Sequence, residues 1–242
     1  MSEETKNILE EYLVKRMRNE IIVADESYFV LQTINENWNQ ISKDGYDLFF
    51  KSTYSAHFIR YTLAIAKLFD KPSKKYDTIS IPFVLEYIEN NFNNIPFLNQ
   101  GNLIKQFSLL GYEIKYLNSL SDYDLSKTIL EHFKKNLPST DYSGDLLLCR
   151  TLEIIKIYRD KHYTHNEYID FSSLPKTTFD EASYLLLYAK QFVSIFALAY
   201  FNMYHSIDGI EYLFTKDAQR TNISFKRILE KAGFINITRK KV

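Results

Sequence analysis

The chain of 242 residues is 45% apolar, and its 30 lysines and arginines balance its 30 aspartates and glutamates. This apolar fraction is enough to bury a substantial core. Because the net charge is zero, the chain as a whole has no field that would draw it to nucleic acid or to an acidic membrane, and any nucleic-acid contact must use a local basic patch. The single cysteine, Cys149, excludes an internal disulfide and a multi-cysteine zinc site, and it predicts a cytoplasmic protein.

Few residues of the chain favour turns, and this favours long helices. Only six glycines and five prolines are present. The N-terminus, MSEETKNILEEYL, is acidic where a secretory signal is basic and then apolar, so it predicts a first helix. The most membrane-like segment, residues 182–204, is interrupted by Lys190 and Gln191 before a spanning length of uncharged residues accumulates. We therefore expect a buried core helix there and no membrane partner.

Apolar residues recur at helical spacing along most of the chain. The pattern predicts helices over these segments: 8–17, 30–41 with an end near Gly45, 48–69, 81–92, 124–137, 145–159, 179–206 and 222–232. Ser80 before Pro82 is typical of a helix start, and Thr178 with Glu181 forms a capping-box pattern in front of the longest helix. Gly233 is typical of a helix end.

The middle of the chain is the least periodic part and holds Pro96, Gly101 and Gly111. It predicts short helices inserted into the main fold. No repeat of fixed period, low-complexity tract or long linker divides the chain. We predict an all-α helical bundle that forms one domain over residues 1–242, with residues 93–140 as an insertion or elaboration.

A polar cluster follows an apolar helical run in IIKIYRDKHYTHNEYID, residues 154–170. A helix turns by about 100° per residue, so His162 lies about 60° from Arg159 and Asn166 lies about 20° from it. These three side chains would share one face if the helix continued. His165 lies about 120° away. A helix end or a second subunit is needed to bring His165 to the same place.

Four interpretations of this cluster are open. The first is a charged helix end, in which cations favour the negative end of the helix dipole. The second is a metal site in which His162 and His165 bind zinc with Asp160 or Glu167, although a third ligand is missing from the shared face. The third is an RNA-cleaving site, and the fourth is an RNA-binding site formed by basic residues without turnover. The basic residues concerned are Lys156, Arg159 and Lys161.

RNA cleavage without metal needs two kinds of side chain. A base must take the proton of the 2′-hydroxyl, and histidine suits this task because its pKa lies near neutrality. A cation must hold the charge that grows on the phosphate, and arginine suits this task because its guanidinium matches phosphate oxygens and stays charged. The cluster contains both residue types. Their spacing alone does not separate cleavage from binding.

The remaining candidate residues predict structural roles. No two glycines lie close enough to form a phosphate-binding loop. Cys149 lies in an apolar helical segment, where a raised thiol pKa predicts an inert core cysteine. His57 and His205 are predicted to be structural, and His132 is predicted to lie on a solvated face.

The phrase RDKHYTH, residues 159–165, places five residues between Arg159 and His165. It resembles the signature of the HEPN superfamily, in which an arginine and a polar residue precede a histidine at the end of an apolar helix. Two further segments, in the same order, are similar to the abortive-infection AbiU-type branch. TLAIAKLFDKPSKKYDTISIPFVL, residues 62–85, resembles a helix that ends in an ALARLLD-like phrase, and LPKTTFDEASYLLLYAKQF resembles a Thr-capped long helix. Lys67 and Thr164 depart from the usual arginine and alanine.

The resemblance implies a HEPN-like bundle with the activity of a metal-independent endoribonuclease that needs no cofactor. His165 would be the general base or acid, and Arg159 would orient and stabilise the scissile phosphate. Asp160 would orient the site or the partner subunit, with His162 and Asn166 as supporting residues. Lys156 and Lys161 are the expected RNA contacts. The products would be a 2′,3′-cyclic phosphate and a 5′-hydroxyl.

The resemblance also implies partners. Such proteins pair as twofold dimers that bring two motifs into one cleft, and they act as toxins or phage-defence effectors, some of them restrained by a cognate antitoxin protein. A homodimer with an RNA substrate is therefore expected. The alternative is a non-catalytic HEPN module that binds RNA or a partner protein.

Overall fold

The computed structural model describes residues 1–73, 78, 80–95, 100–139, 144–160, 178–207 and 211–235. Its helices in the first half are α1 (Glu3–Leu9), a π-helical segment (Glu10–Met17), α2 (Arg18–Glu36), α3 (Trp38–Lys43), α4 (Asp47–Leu68), α5 (Ile81–Asn90) and a 3₁₀ turn (Phe92–Asn94). Those in the second half are α6 (Gln100–Ser108), α7 (Ile114–Ser119), α8 (Asp122–Lys135), α9 (Leu146–Ile157), α10 (Phe179–Phe201) and α11 (Leu213–Lys231). The prediction of an all-α fold is confirmed.

Strand structure in the described residues is limited to a two-residue pair. β1 (Ser206–Ile207) runs antiparallel to β2 (Glu211–Tyr212), with Ser206 opposite Tyr212. This pair connects α10 to α11. Segments of two residues are too short to show an alternating pattern, and the sequence did not predict them.

The N-terminal third differs from its predicted division into two separated helices. Helical backbone runs without a break from Glu3 through the π-helical segment to Glu36. The polar residues around Arg18 weaken the apolar pattern there, but Leu13, Met17 and Ile21 are all fully buried on one continuous stripe. A π-helical turn adds a residue to the local repeat, so the buried stripe is kept while its sequence spacing changes.

Helices α2 and α4 make the most extensive contact between any two of the described elements. Arg60 bonds to Glu26 at 3.0 Å and Lys67 bonds to Glu20 at 2.9 Å, so the two helices run in opposite directions. Helix α11 packs on another side of α2, and α9 packs against both α4 and α10. The largest fully buried aromatic side chains of the core are Tyr61, Phe69, Phe107, Phe133, Phe192, Phe196, Tyr200 and Phe214.

Helix α10 lies in the centre of this core, and its start is the capping box that the sequence predicted. The Thr178 hydroxyl accepts from the Glu181 amide at 3.1 Å, and the Glu181 carboxylate accepts from the Thr178 amide at 2.8 Å. The helix ends at Phe201 instead of residue 206, because Asn202 takes a left-handed conformation with φ 54° that terminates it. By length and composition Asp180–Phe201 could cross a membrane, but an 18-residue apolar stretch within it is 78% buried inside the protein, as in a core helix.

A buried ion pair explains the charge that interrupts this apolar helix. The Lys190 ammonium donates to Asp25 of α2 at 2.6 Å, and the Thr215 hydroxyl of α11 donates to the other oxygen of Asp25 at 2.8 Å. Burial raises the pKa of Asp25 and lowers the pKa of Lys190, and each residue's charge opposes the shift of the other. The pair therefore joins three helices through one carboxylate.

Other parts of the chain depart from expectation in smaller ways. Helix α11 begins at Leu213, nine residues before the predicted start, because Phe214 and Ala218 are buried although polar residues separate them. His132 is half-buried instead of solvated, since its Nδ1 lies 3.2 Å from the Tyr112 hydroxyl and its ring packs edge-on to Phe107. The core position predicted for Cys149 is confirmed.

The middle region contains the predicted short helices, and it contributes to the main core. Phe107 of α6 and Phe133 of α8 are fully buried, and the Tyr188 hydroxyl of α10 donates to the Phe133 carbonyl at 2.5 Å. The division of residues 1–242 into one domain with an insertion at 93–140 stays a prediction.

The three described histidines predict that the protein loses stability in mild acid. Burial lowers the pKa of His57, His132 and His205 below the ordinary value of about 6.5. The unfolded chain therefore binds more protons than the folded protein as pH falls below about 6.5, and folding becomes less favourable. The thermal midpoint should be lower at pH 5 than at pH 7, and the difference should shrink in His205→Gln. A thermal midpoint that is no lower at pH 5 than at pH 7 would contradict the lowered pKa values of these histidines.

Candidate functional site

Helix α9 carries the polar cluster to its position beside the end of α4. Its N-terminus is capped by Asp145, whose carboxylate accepts from the Leu148 amide at 3.0 Å. Leu152 and Ile155 are buried on the face that leads toward Arg159, four residues beyond Ile155. Helical backbone continues past Ile157 to Asp160. The packed stripe therefore fixes where Arg159 emerges from the helix.

Arg159 is held by two carboxylates. Its Nη1 donates to both oxygens of Asp70, at 2.5 and 2.7 Å, and its Nε donates to Asp160 at 2.6 Å. The side chain of Arg159 is only 20% exposed. Burial opposes the charge of Arg159, but the hydrogen bonds to Asp160 and Asp70 outweigh it and raise the pKa of the guanidinium. Charge-assisted bonds of this kind fix both the charge and the orientation of the arginine.

Lys156 lies one turn earlier and contacts the same end of α4. Its ammonium donates to the Phe69 carbonyl at 3.0 Å and lies 3.8 Å from Asp70. Cations are favoured near the last carbonyls of a helix, where the helix dipole is negative. Burial lowers the pKa of Lys156, while Asp70 opposes this shift. Lys156 therefore binds α9 to the end of α4.

These four side chains form a nearly neutral cluster of two cations and two carboxylates. Asp70 is 30% exposed and contacts both Arg159 and Lys156, whereas Asp160 is 55% exposed and contacts Arg159 from the solvent side. The interaction with Asp70 lies deeper in the protein and is less screened by water. An incoming anion could exchange with Asp160 more easily than with Asp70.

A small, mainly apolar cavity lies between α4, α9 and the start of α10, and its lining includes Tyr158, the neighbour of Arg159 in the chain. The ring of Tyr158 packs edge-to-face on Phe58 of α4, with centroids 5.9 Å apart. The cavity has a volume of about 30 Å³, enough for a water molecule but not for a nucleobase. Tyr158 and Thr178, near the two ends of segment 161–177, both line it. Its other lining residues are Phe58, Tyr61, Thr62, Ile155 and Ala182.

The structure brings together some of the predicted site residues. Lys156, Arg159 and Asp160 form one cluster, whereas Lys161, His162, His165 and Asn166 lie outside the described residues. The roles predicted for these four, and the angular problem of His165, stay predictions.

Asp70 is the site residue that the sequence did not single out. It is the last residue of AIAKLFD, the segment that resembles the ALARLLD-like phrase. The ion pair to Arg159 joins this phrase to RDKHYTH across 89 positions of the chain. Lys67 of the same phrase bonds to Glu20 of α2, so its ammonium contacts a different helix from the one that carries Arg159.

Metal ligands do not cluster in the part of the chain that the structure describes. Among those residues, no group of three histidines, cysteines, aspartates or glutamates could hold a metal ion. The pair His162 and His165 lies outside this part.

The Asp70 interaction predicts a clear loss of stability on neutralisation. Asp70→Asn keeps the size of the side chain but removes the charge that faces Arg159 and Lys156, so we expect the free energy of unfolding to fall by about 1–3 kcal/mol. Asp47 lies at the other end of α4 and pairs with an exposed lysine, Lys51, at 3.1 Å. Asp47→Asn is the matched control and should cost less than about 1 kcal/mol. Equal losses in urea titrations of the two variants would contradict a special role for Asp70.

Comparison with known proteins identifies a family that spans both segments joined by the ion pair between Asp70 and Arg159. No curated protein and no solved structure matches the chain. The HEPN family model described as AbiU2 matches residues 6–221, which extend from α1 into α11 and include both Asp70 and Arg159. The match covers most of the chain, and it agrees with the all-helical fold described above. The chain is therefore a HEPN-domain protein that belongs to the abortive-infection AbiU2 family.

Proposed function

We propose that the protein is a metal-independent endoribonuclease that acts as a toxin or phage-defence effector. In this proposal His165 takes the proton of an RNA 2′-hydroxyl, and the 2′-oxygen attacks the adjacent phosphorus. The bond from phosphorus to the 5′-oxygen breaks, and this oxygen receives a proton. The products are a 2′,3′-cyclic phosphate and a 5′-hydroxyl end.

The observation that supports this proposal best is the fixed position of Arg159. A guanidinium that is oriented before the substrate arrives stabilises developing phosphate charge without the cost of reorganisation. Asp70 supplies this orientation through Nη1, and the buried face of α9 fixes the backbone. The Asp70 carboxylate, just beyond the end of α4, therefore restricts the guanidinium as well as balancing its charge.

The different exposure of the two carboxylates suggests how a phosphate enters. In this proposal a phosphate oxygen replaces the exposed Asp160 at the guanidinium, while Asp70 keeps its contact. Asp160 then orients Arg159 in the free protein and is displaced on binding. His162 and Asn166 support the site, and Lys161 binds the RNA backbone. Lys156 keeps α9 against α4 and adds positive charge near the substrate.

We further propose that the active protein is a cytoplasmic homodimer with one composite cleft. This arrangement would let His165 of each subunit reach Arg159 in spite of the angular separation along a single helix. Tyr184 and Leu187 of α10, the helix that begins beside the site, are 51% and 40% exposed and could be covered by a second copy. A cognate antitoxin would act by blocking this cleft.

The second candidate function is a non-catalytic HEPN module. The observation that favours it is the near neutrality of the cluster, because Arg159 and Lys156 are already balanced by Asp70 and Asp160. Such a module would bind RNA or a protein and would not cut RNA.

The direct test is cleavage of single-stranded RNA by the purified protein in EDTA. We expect cleavage to persist in EDTA and to leave 2′,3′-cyclic phosphate ends. Arg159→Ala and His165→Ala should each lower the rate at least about 100-fold, because each removes a group that acts in the transition state.

The control for these variants is Arg150→Ala, which removes an exposed arginine of the same helix far from the cluster and should keep most of the activity. Cleavage that requires a divalent cation would overturn the mechanism. RNA that is bound but never cut would favour the non-catalytic module.

A further inference from the structure

The outer face of α11 carries a row of basic side chains. Successive residues of a helix are offset by about 100°, so Lys216, Arg220, Arg227 and Lys231 fall within about 60° of one another. They span about 22 Å along the helix axis, because each residue adds about 1.5 Å. All four are exposed, and the side chain of Arg220 is 82% exposed. We call these four residues the basic stripe.

The opposite face of α11 is fixed to the protein. Phe214, Ala218 and Leu229 are buried, and Asn222 accepts a hydrogen bond from Thr33 of α2 at 2.8 Å. Thr215 donates to the buried Asp25. Rotation of the helix would break these contacts, so the stripe stays on the outer surface. The helix backbone therefore presents these four cations in a row.

Helix α11 carries an excess of positive charge, although the whole chain has no net charge. The helix carries five basic and two acidic side chains. Asp217 is shared by two arginines, Arg18 at 3.3 Å and Arg220 at 3.6 Å, so it does not neutralise either one fully. The acidic side chains that balance the chain lie mostly on other helices. This is the local basic patch that a neutral nucleic-acid-binding protein requires.

We propose that the basic stripe binds the phosphodiester backbone of single-stranded RNA and holds the substrate of the protein. Arginine and lysine arranged along a helix match a chain of phosphates. One guanidinium can also donate two parallel hydrogen bonds to the oxygens of a phosphate. The inference rests on the proposed function, because a protein that cleaves RNA at one place needs affinity for the strand beyond the scissile phosphate. The family match ends at residue 221, so Arg227 and Lys231 lie beyond it.

The geometry favours RNA over an acidic membrane. A helix that lies on a membrane turns its apolar side toward the lipid. The apolar side of α11 is instead buried against the protein. Ile223 and Ile228 are exposed, but they lie about 140° apart around the helix and form no continuous apolar face.

Binding to a 2′-O-methyl RNA oligonucleotide tests the stripe, because this ligand lacks the 2′-hydroxyl and cannot be cut by the proposed mechanism. The stripe variant changes all four residues to glutamine, and the control variant removes the same number of exposed charges from other helices. The control substitutions are Lys43→Gln, Lys115→Gln, Lys127→Gln and Arg150→Gln. Fluorescence anisotropy gives the dissociation constants at several salt concentrations.

We expect the stripe variant to bind at least about 10-fold more weakly and the control variant to stay within about twofold of the original protein. The slope of log affinity against log salt should become shallower by about 0.7 for each phosphate that the stripe variant no longer binds. Equal affinities of the two variants, or no RNA binding by the original protein, would overturn the inference. The inference would also be overturned if the stripe variant lost binding to phosphatidylserine vesicles but kept its RNA affinity. That result would assign the stripe to a membrane.

The two proposals fail in different ways. If the stripe is needed for binding but RNA with free 2′-hydroxyls is never cut, the endoribonuclease proposal fails and the RNA-binding surface stands. If RNA is cut in EDTA and the stripe variant binds and cuts like the control, the endoribonuclease proposal stands and the surface is wrong.

Discussion

The ion pair between Asp70 and Arg159 is the interaction on which the proposed activity of this protein depends. It joins the C-terminal end of α4 to the last described turn of α9, and Lys156 adds a bond to the Phe69 carbonyl beside it. Both helices are placed by their buried faces, and this packing brings the Asp70 carboxylate and the Arg159 guanidinium together. The same contact connects two separate phrases of the sequence that resemble those of the AbiU2 family. It gives each phrase a physical reason to occur with the other.

The sequence predicted the parts of the fold that depend on local patterns. The capping box at Thr178, the helix over α4 and the start of α5 after Ser80 all follow from residues within one or two turns. Features that depend on distant residues were missed or shifted. Helix α11 starts early because Phe214 and Ala218 pack against the core, and His132 is half-buried because Tyr112 and Phe107 cover it. No local spacing contains that information.

The candidate site shows the same limit. Helical geometry and the motif pointed to Arg159 and Asp160, and the structure brings them together with Lys156. The sequence could not identify Asp70, which lies 89 positions away from Arg159 in the chain and acts only through its position at the end of another helix. The buried pair of Asp25 and Lys190 has the same character, since Lys190 looked like an interruption of an apolar run until its partner on α2 was known. In both places a charge is explained by a carboxylate from a distant part of the chain.

A double-mutant cycle of cleavage rates tests the central claim that Asp70 acts through Arg159. Asp70→Asn, Arg159→Ala and the double variant are compared with the original protein on single-stranded RNA in EDTA. We predict that Asp70→Asn lowers the rate and that the double variant is no slower than Arg159→Ala, because in this account Asp70 affects the reaction by orienting Arg159. Rate losses that multiply in the double variant would contradict this claim, as would an Asp70→Asn protein with full activity.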